Sequence, residues 1–443
     1  MTGSPPSRAS LLLASCVGTS IEWYDYYIFG SASALVFGSL FYPSFSPVAS
    51  TLAAFGTFAV GFIARPLGGA VIGHFGDRIG RKAMLVLTLM MAGISTFLIG
   101  LLPGYATIGV AAPVLLVLLR LLQGFGVGGE WGGAVLMATE HAGPRRRAVF
   151  GSFAQFGVPI GVLTSNLVFL LASQLPAASF RSWGWRIPFL LSIVLLVVGM
   201  LVRRKLDESP DFRRVKETNR VSKLPFGTLV REQPGTLLLA SVAAIAPPAV
   251  GYTVMVYMLN YGTAVAGFTR NTLLTLLLLS AVLWIVMIYF AARWADRWGS
   301  KRVYAIGALT AVAWAFPLFA LVNTRGFGAA LVAFFVAAVV QAIMAGAQGA
   351  LFTELFHTRL RFSGASIAYQ LGGLVGGAVT PLVATALFGA YHSSTPIALY
   401  LALVCALSLV AVVLLRVPAS LPAHEKAVAD EDAAPLASGR EPN

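Results

Sequence analysis

The chain reads as a succession of apolar runs separated by short polar breaks. Each run is close to the roughly 20 residues needed to cross the hydrocarbon core of a bilayer. The runs are continuous, whereas strands of an outer-membrane barrel alternate apolar and polar residues over about 10 positions. They are therefore expected to be helices, which satisfy their own backbone hydrogen bonds in lipid. Twelve spans follow: 10–40, 50–73, 82–103, 109–139, 150–173 and 184–203, then 236–263, 271–292, 303–322, 327–353, 363–389 and 396–417. The longest break, about 204–235, is rich in Arg and Lys and separates two sets of six. The expected organisation is an N-terminal bundle (1–203), a central cytoplasmic loop (204–235), a C-terminal bundle (236–417) and a tail (418–443). Ala, Pro and acidic residues dominate the tail, a composition that predicts disorder.

Composition supports an all-α membrane protein. Of the 443 residues 58% are hydrophobic and 11% charged, against about 25% charged in soluble domains. The net charge of +14 reflects topology, not a nucleic-acid partner. Of 31 Lys and Arg residues, Arg181, Arg186, Arg270 and Arg325 fall on one side, Arg65 and Arg120 fall within or at the edge of helices, and the other 25 share the side of the termini and central loop. The positive-inside rule makes that side cytoplasmic in a bacterial inner membrane. Arg8 and the apolar run after it superficially resemble a signal peptide, but the run continues through Glu22 and Asp25 and is read as a retained first helix.

Several signals are set aside. Cys16 and Cys405 lie near opposite ends of the chain and define neither a disulfide framework nor a metal site. The five histidines have no metal-ligand spacing, no nucleophile–base constellation is visible, and no Walker-type motif occurs. The glycine-rich run 124–129 lies mid-membrane with no strand before it, so no nucleotide is expected there. No cofactor, metal or enzymatic activity is expected.

The chain repeats itself weakly. Gly73-His74-Phe75-Gly76-Asp77-Arg78-Ile79-Gly80-Arg81-Lys82 follows helix 2, and Ala292-Arg293-Trp294-Ala295-Asp296-Arg297-Trp298-Gly299-Ser300-Lys301 follows helix 8. Glu140 and Arg147 after helix 4 are matched in spacing by Glu354 and Arg361 after helix 10. Two like-oriented halves with matched breaks predict a parallel repeat and a cavity between the halves.

These breaks resemble the loop signature of the major facilitator superfamily. Within it, 18–27 on helix 1, Ala64-Arg65-Pro66-Leu67-Gly68-Gly69 on helix 2, and 120–124 with 128–133 on helix 4 resemble the metabolite:H⁺ symporters. Residues 183–189 and Glu208-Ser209-Pro210 complete the likeness, which covers nearly the whole chain. The resemblance implies twelve transmembrane helices in two six-helix bundles and proton-coupled import of a small carboxylate or zwitterion. Relatives of that kind carry shikimate, citrate, 2-oxoglutarate, other dicarboxylates, or proline and betaine, and the likeness does not choose among them. The osmosensing proline/betaine relatives carry a long coiled-coil extension; the short tail here has no heptads, which argues against that role. The resemblance also implies that the signature carboxylate holds one access state. The gating candidates are Asp77, Arg78, Arg81, Glu140 and Arg147, with Asp296, Arg297, Glu354 and Arg361 as second-half counterparts.

An ionisable side chain at the centre of a membrane helix costs about 2.5–3.5 kcal/mol or more. Glu22, Asp25 and Glu130 are the acids expected inside helices, and Arg120 the deeply placed base. Glu22 and Asp25, three apart, share a helical face. Arg120, Gln123, Val127 and Glu130 form a stripe on helix 4, while Gly124, Gly128 and Gly132 form a separate face suited to close helix packing. Proton coupling needs a carboxylate whose ionisation responds to burial and to a nearby cation. Asp25 is the first candidate, with Glu22 and Glu130 behind it and Arg120 as ion-pair partner or substrate receptor; a static pair locking helix 1 to helix 4 is the structural alternative. Candidate substrate contacts are Arg120, Gln123 and Tyr26, then Tyr252, Tyr257, Asn260 and Tyr261 on helix 7, Gln341 and Gln348 on helix 10, and Tyr369 and Gln370 on helix 11. Each serves equally well as a helix-contact polar group. The expected protein is a monomeric carrier whose partners are its substrate, protons and lipid. A proton-independent uniporter, an exporter and a non-transporting sensor are the competing readings.

Overall fold

The computed structural model describes residues 8–79, 81–128, 135, 138–139, 146–204, 225–357 and 360–416. Helix 1 runs Arg8–Ala32 and continues through a π-helical turn, Ser33–Phe37, into Gly38–Phe41. Helix 2 is Pro47–Ile79, helix 3 Arg81–Leu101, and helix 4 Ala111–Val127 within the described residues. Helix 5 comprises Arg147–Gly151 and Phe153–Ala172, and helix 6 is Ile187–Arg204.

Helix 7 is broken into Pro234–Ala243, Ala246–Tyr252, a π turn at Thr253–Tyr257 and Met258–Ala264. Helix 8 is Arg270–Trp298, helix 9 Ser300–Asn323 and helix 10 Phe327–Glu354. Helix 11 passes from Arg361–Gly373 through a π segment, Leu374–Val379, to Thr380–Tyr391, and helix 12 is Thr395–Leu414. Nine helices are long and apolar enough to cross a membrane by length and composition, among the described residues. A short helix, Pro225–Glu232, precedes helix 7.

Helices 2 and 8 run past the spans expected from hydropathy, to Ile79 and Trp298. Polarity marks where lipid gives way to water, whereas backbone hydrogen bonding stops only at a capping residue. Gly299 is that residue for helix 8: its φ of 90° lies in the left-handed region that favours glycine, and its N–H closes on the Ala295 carbonyl at 2.9 Å. Asp296 therefore sits on the last turn of a helix, not in a loop. The tail 418–443 and most of the central loop lie outside the described residues.

Close approach of helices is set by residues that lack side chains. A Cβ added at Gly124 would strike the Gly61 carbonyl, and one at Gly128 the Arg65 carbonyl, so helices 2 and 4 cross backbone to backbone. The glycine face expected on helix 4 is thus used for this crossing; Gly132 lies outside the described residues. Gly157 and Gly161 of helix 5 abut Thr19, Trp23 and Tyr24 of helix 1, and Gly372 and Gly376 of helix 11 abut Ala244, Ile245 and Pro248 of helix 7. The same four-residue glycine spacing serves corresponding helix pairs in the two halves, which is the expected parallel repeat in physical form.

The halves meet along antiparallel seams, helix 5 against helix 8 and helix 2 against helix 11. At the end of the bundle carrying the chain termini, Asp296 of helix 8 accepts hydrogen bonds from the backbone N–H groups of Ala148 (2.8 Å) and Val149 (3.2 Å). Further along helix 5, Gln155 Nε2 donates to Gln348 Oε1 at 2.8 Å. At the opposite end Ser173 Oγ donates to Asn271 Oδ1, Arg270 Nη2 donates to the Ser173 carbonyl at 3.2 Å, and Asn260 Nδ2 reaches the Ala34 carbonyl at 3.4 Å.

Candidate transport site

Two buried guanidiniums and two carboxyls meet near the middle of the first half. Arg65 of helix 2 is only 2% exposed, and its Nη2 lies 3.5 Å from Glu22 Oε1 of helix 1. Its Nε donates to Tyr26 Oη at 2.8 Å, and its Cζ lies 3.8 Å from the Tyr26 ring centroid and 4.9 Å from that of Phe62. Arg120 of helix 4, fully buried, places its Cζ 4.2 Å from the same Tyr26 centroid and 4.2 Å from that of Phe29. Each desolvated cation–aromatic contact is worth about 2 kcal/mol. Such contacts help to offset the cost of holding two like charges in one interior.

Arg120 is further held by polar partners. Its Nη1 donates to Gln123 Oε1 one turn on, Gln123 Nε2 donates to Thr96 Oγ1 at 2.7 Å, and Arg120 Nε reaches the Phe58 carbonyl at 3.3 Å. Asp25 lies beside this network, with Thr96 as its hydrogen-bonding neighbour and Arg120 within electrostatic reach. It is 2% exposed and its Oδ1 has no hydrogen-bond partner among the described residues. Although Glu22 and Asp25 are one turn apart on helix 1, they serve different cations: Glu22 pairs with Arg65, while Asp25 stands near Arg120 without a salt bridge.

The second half contributes an aromatic wedge. Tyr252, at the turn before the π segment of helix 7, stacks on Tyr27 (5.8 Å) and packs against Phe58 (5.5 Å) and Phe62 (5.4 Å). Its hydroxyl is buried without a partner among the described residues. Tyr369 of helix 11 is an electrostatic neighbour of Glu22 and Arg65, and Gln370 Nε2 donates to the Gly128 carbonyl at 3.1 Å. Gln341 faces Gly251 of helix 7, and among the described residues its Oε1 has no partner, nor has the Nε2 of Gln348, whose Oε1 accepts from Gln155. Tyr257 points elsewhere: its hydroxyl donates to the Ala384 carbonyl at 3.4 Å and its ring stacks on Tyr261, itself bonded to Asn323. Asn260 belongs to the seam with helix 1.

Among the gating candidates, Asp296 bridges the halves as described. Glu354 has Arg147, Asp296 and Arg361 as electrostatic neighbours, so its charge also acts across the seam, whereas Arg297 is exposed. Asp77 and Arg78 end helix 2 and Arg81 opens helix 3, with side chains outside the described residues. Glu130 and Glu140 lie outside the described residues altogether. Sequence reasoning placed one base deep in the bundle; the structure places two. Arg65 lies inside the expected span 50–73 without being singled out there as a deeply placed base, and helix 2 continues 13 residues beyond Pro66, to Ile79. The available signal was the apolar context on both sides, Phe62-Ile63-Ala64 before it and Leu67 after Pro66. Thr96 carried no signal of its own.

A two-halved helical bundle with charges buried inside its first half, and aromatic and polar groups of the second half set against them, defines a membrane carrier. The chain belongs to the Major Facilitator Superfamily, whose sequence profile matches residues 15–377. It is 43% identical to an inner membrane metabolite transport protein of Escherichia coli (strain K12), over 92% of this chain and 94% of that one. It is 40% identical to the shikimate transporter of the same organism, over 91% and 93%, and 30% identical to a proline/betaine transporter of Salmonella typhimurium, over 93% and 84%. These relatives place it with the metabolite:H⁺ symporters that its motifs resemble. The fold matches the crystal structure of a D-xylose-proton symporter with a TM-score of 0.73 at 19% identity, covering 92% of this chain and 97% of that one. The protein is a secondary transporter and not an enzyme.

Proposed function

We propose that the protein imports a small carboxylate or zwitterion across the bacterial inner membrane together with a proton, with both chain termini in the cytoplasm. The observation that carries this reading is the unequal state of the two carboxyls on helix 1: Glu22 is held by Arg65 at 3.5 Å, and Asp25 is enclosed with its Oδ1 unpartnered among the described residues. The four described charges, Arg65, Arg120, Glu22 and Asp25, cancel. Protonation of Asp25 leaves one positive charge in excess, and an anionic substrate restores neutrality. An interior that penalises uncompensated charge by several kcal/mol thereby links the binding of proton and anion. Arg65 and Arg120 offer planar forks to a carboxylate, and Tyr252, Gln341 and Tyr369 are the polar groups of the second half that would close on it. Gating at the cytoplasmic end falls to Asp296 and Glu354, with Asp77, Arg78, Arg81, Glu140 and Arg147 as first-half partners. Residues 1–203 and 236–417 would be the moving bodies and 204–235 their tether, the chain acting as a monomer.

Reconstituted protein separates coupling from translocation. Asp25→Asn is expected to abolish uptake driven by an imposed pH gradient while retaining substrate exchange between equal compartments. Full gradient-driven accumulation by this variant would remove Asp25 from the coupling role.

A further inference from the structure

The end of the bundle opposite the chain termini has no negative side chain. The connections there, 42–46, 102–110, 173–186, 265–269, 324–326 and 392–394, contain no Asp or Glu, whereas Arg181, Arg186, Arg270 and Arg325 stand in or beside them. Arg186 is engaged, donating from Nη1 to the carbonyls of Gly100 (3.0 Å) and Leu102 (2.6 Å). Arg270 is only partly satisfied. Its Nη2 holds the Ser173 carbonyl at 3.2 Å and its Cζ lies 3.7 Å from the centroid of Phe180, but its Nε is buried without a hydrogen-bond partner among the described residues. The exposed Arg181, next to Phe180, is its electrostatic neighbour. Two cations are thus brought together where the sequence supplies no anion to separate them.

Helices 5 and 6, whose connection carries Phe180 and Arg181, border an apolar groove of about 260 Å³ lined by Val168, Leu171, Leu175, Trp183, Ile187 and Leu191, together with Ala172. Leu171 is 64% exposed near the end of one span long and apolar enough to lie in lipid, and Trp183, 50% exposed, immediately precedes another. A tryptophan at the end of a spanning helix marks the headgroup level of a bilayer. Phe180, on which Arg270 rests, lies in the turn that joins the two walls of the groove.

We propose that this groove and arginine pair bind one anionic phospholipid, an acyl chain lying along Leu171, Leu175 and Leu191 and the phosphate meeting Arg181 and Arg270. The shape calls for an apolar chain and the charges for an anion at one end, and an anionic lipid joins both. Because Arg181 comes from the first half and Arg270 from the second, the phosphate would also tie the halves together at this end.

Native mass spectrometry of the delipidated full-length protein tests the site. The protein is titrated with dioleoylphosphatidylglycerol, with dioleoylphosphatidylcholine, and with phosphatidylglycerol in the presence of inorganic phosphate. Phosphatidylglycerol should bind more tightly than phosphatidylcholine, and Arg181→Gln should weaken it about fivefold, the weight of one cation at an anionic headgroup. Arg181→Gln/Arg270→Gln should bring the two lipids level, and Leu171→Trp, which fills the groove, should weaken both. If the double variant does not fold, Arg181→Gln and Leu171→Trp decide alone. Equal affinity for the two lipids in the unmodified protein, or Arg181→Gln leaving phosphatidylglycerol binding unchanged, would overturn the proposal. So would displacement of the lipid by millimolar inorganic phosphate, which would assign the arginines to a free anion.

Discussion

Glu22 and Arg65 face each other at 3.5 Å across helices 1 and 2, buried within one half of the molecule and not across the seam between halves. The pair therefore shapes the site from within one half. Arg65 also uses its Nε on Tyr26 and lies against that ring, which fixes the guanidinium plane.

Arg65→Lys keeps the charge and loses both the Tyr26 hydrogen bond and the planar contact. Substrate uptake by reconstituted protein should fall about tenfold, the effect of losing about 1.4 kcal/mol of binding. Arg65→Ala removes the cation facing Glu22 together with the contacts to Tyr26 and Phe62, and should destabilise the fold by about 3–5 kcal/mol in thermal unfolding.

Tyr252→Phe removes a hydroxyl that has no hydrogen-bond partner among the described residues and keeps the ring that wedges between Tyr27, Phe58 and Phe62. Thermal stability should stay within about 0.5 kcal/mol. If the hydroxyl meets substrate, KM should rise severalfold; an unchanged KM would leave Tyr252 a packing residue.

Asp296→Asn weakens two charge-assisted bonds to Ala148 and Val149 at the seam. Such bonds contribute about 1.5–3 kcal/mol. Hydrogen exchange at 148–151 should accelerate, with helix 1 and helix 4 unaffected. Unchanged exchange there would make Asp296 an ordinary end-of-helix carboxylate.

Gly124→Leu would drive a side chain into the backbone of helix 2 at Gly61. Overpacking of this kind costs about 1–3 kcal/mol or more. Lower yield and lower thermal stability are expected, while Gly328→Leu, with open space around it, should behave as the unmodified protein.

The helices were legible because hydropathy is written residue by residue: every expected span contains a helix. What hydropathy left out is where helices bend. The π turns at Ser33–Phe37 and Thr253–Tyr257 occupy corresponding places in helices 1 and 7, yet neither segment carries a proline that would announce a kink. The site was half legible. Asp25 and Arg120 stood out as charges in apolar runs, and Arg120 and Gln123, expected on one stripe of helix 4, are hydrogen-bonded to each other. The choice of Arg65 as the partner of Glu22 depends on how closely helix 2 lies against helix 1, a tertiary quantity. The same holds for Tyr252 reaching the first half while Tyr257, five residues on, turns to Ala384.

The glycine crossings carry a consequence for hydration. Inside each half, backbones touch where side chains are missing, and those contacts leave no room for water. The seams add polar side chains to such contacts: Gly151 and Gly349 approach each other there, but Gln155 also meets Gln348, and Ser173 meets Asn271, through polar atoms that water can replace one for one. Water drawn into a seam would find polar partners in place of these side chains, which the glycine crossings inside each half do not offer.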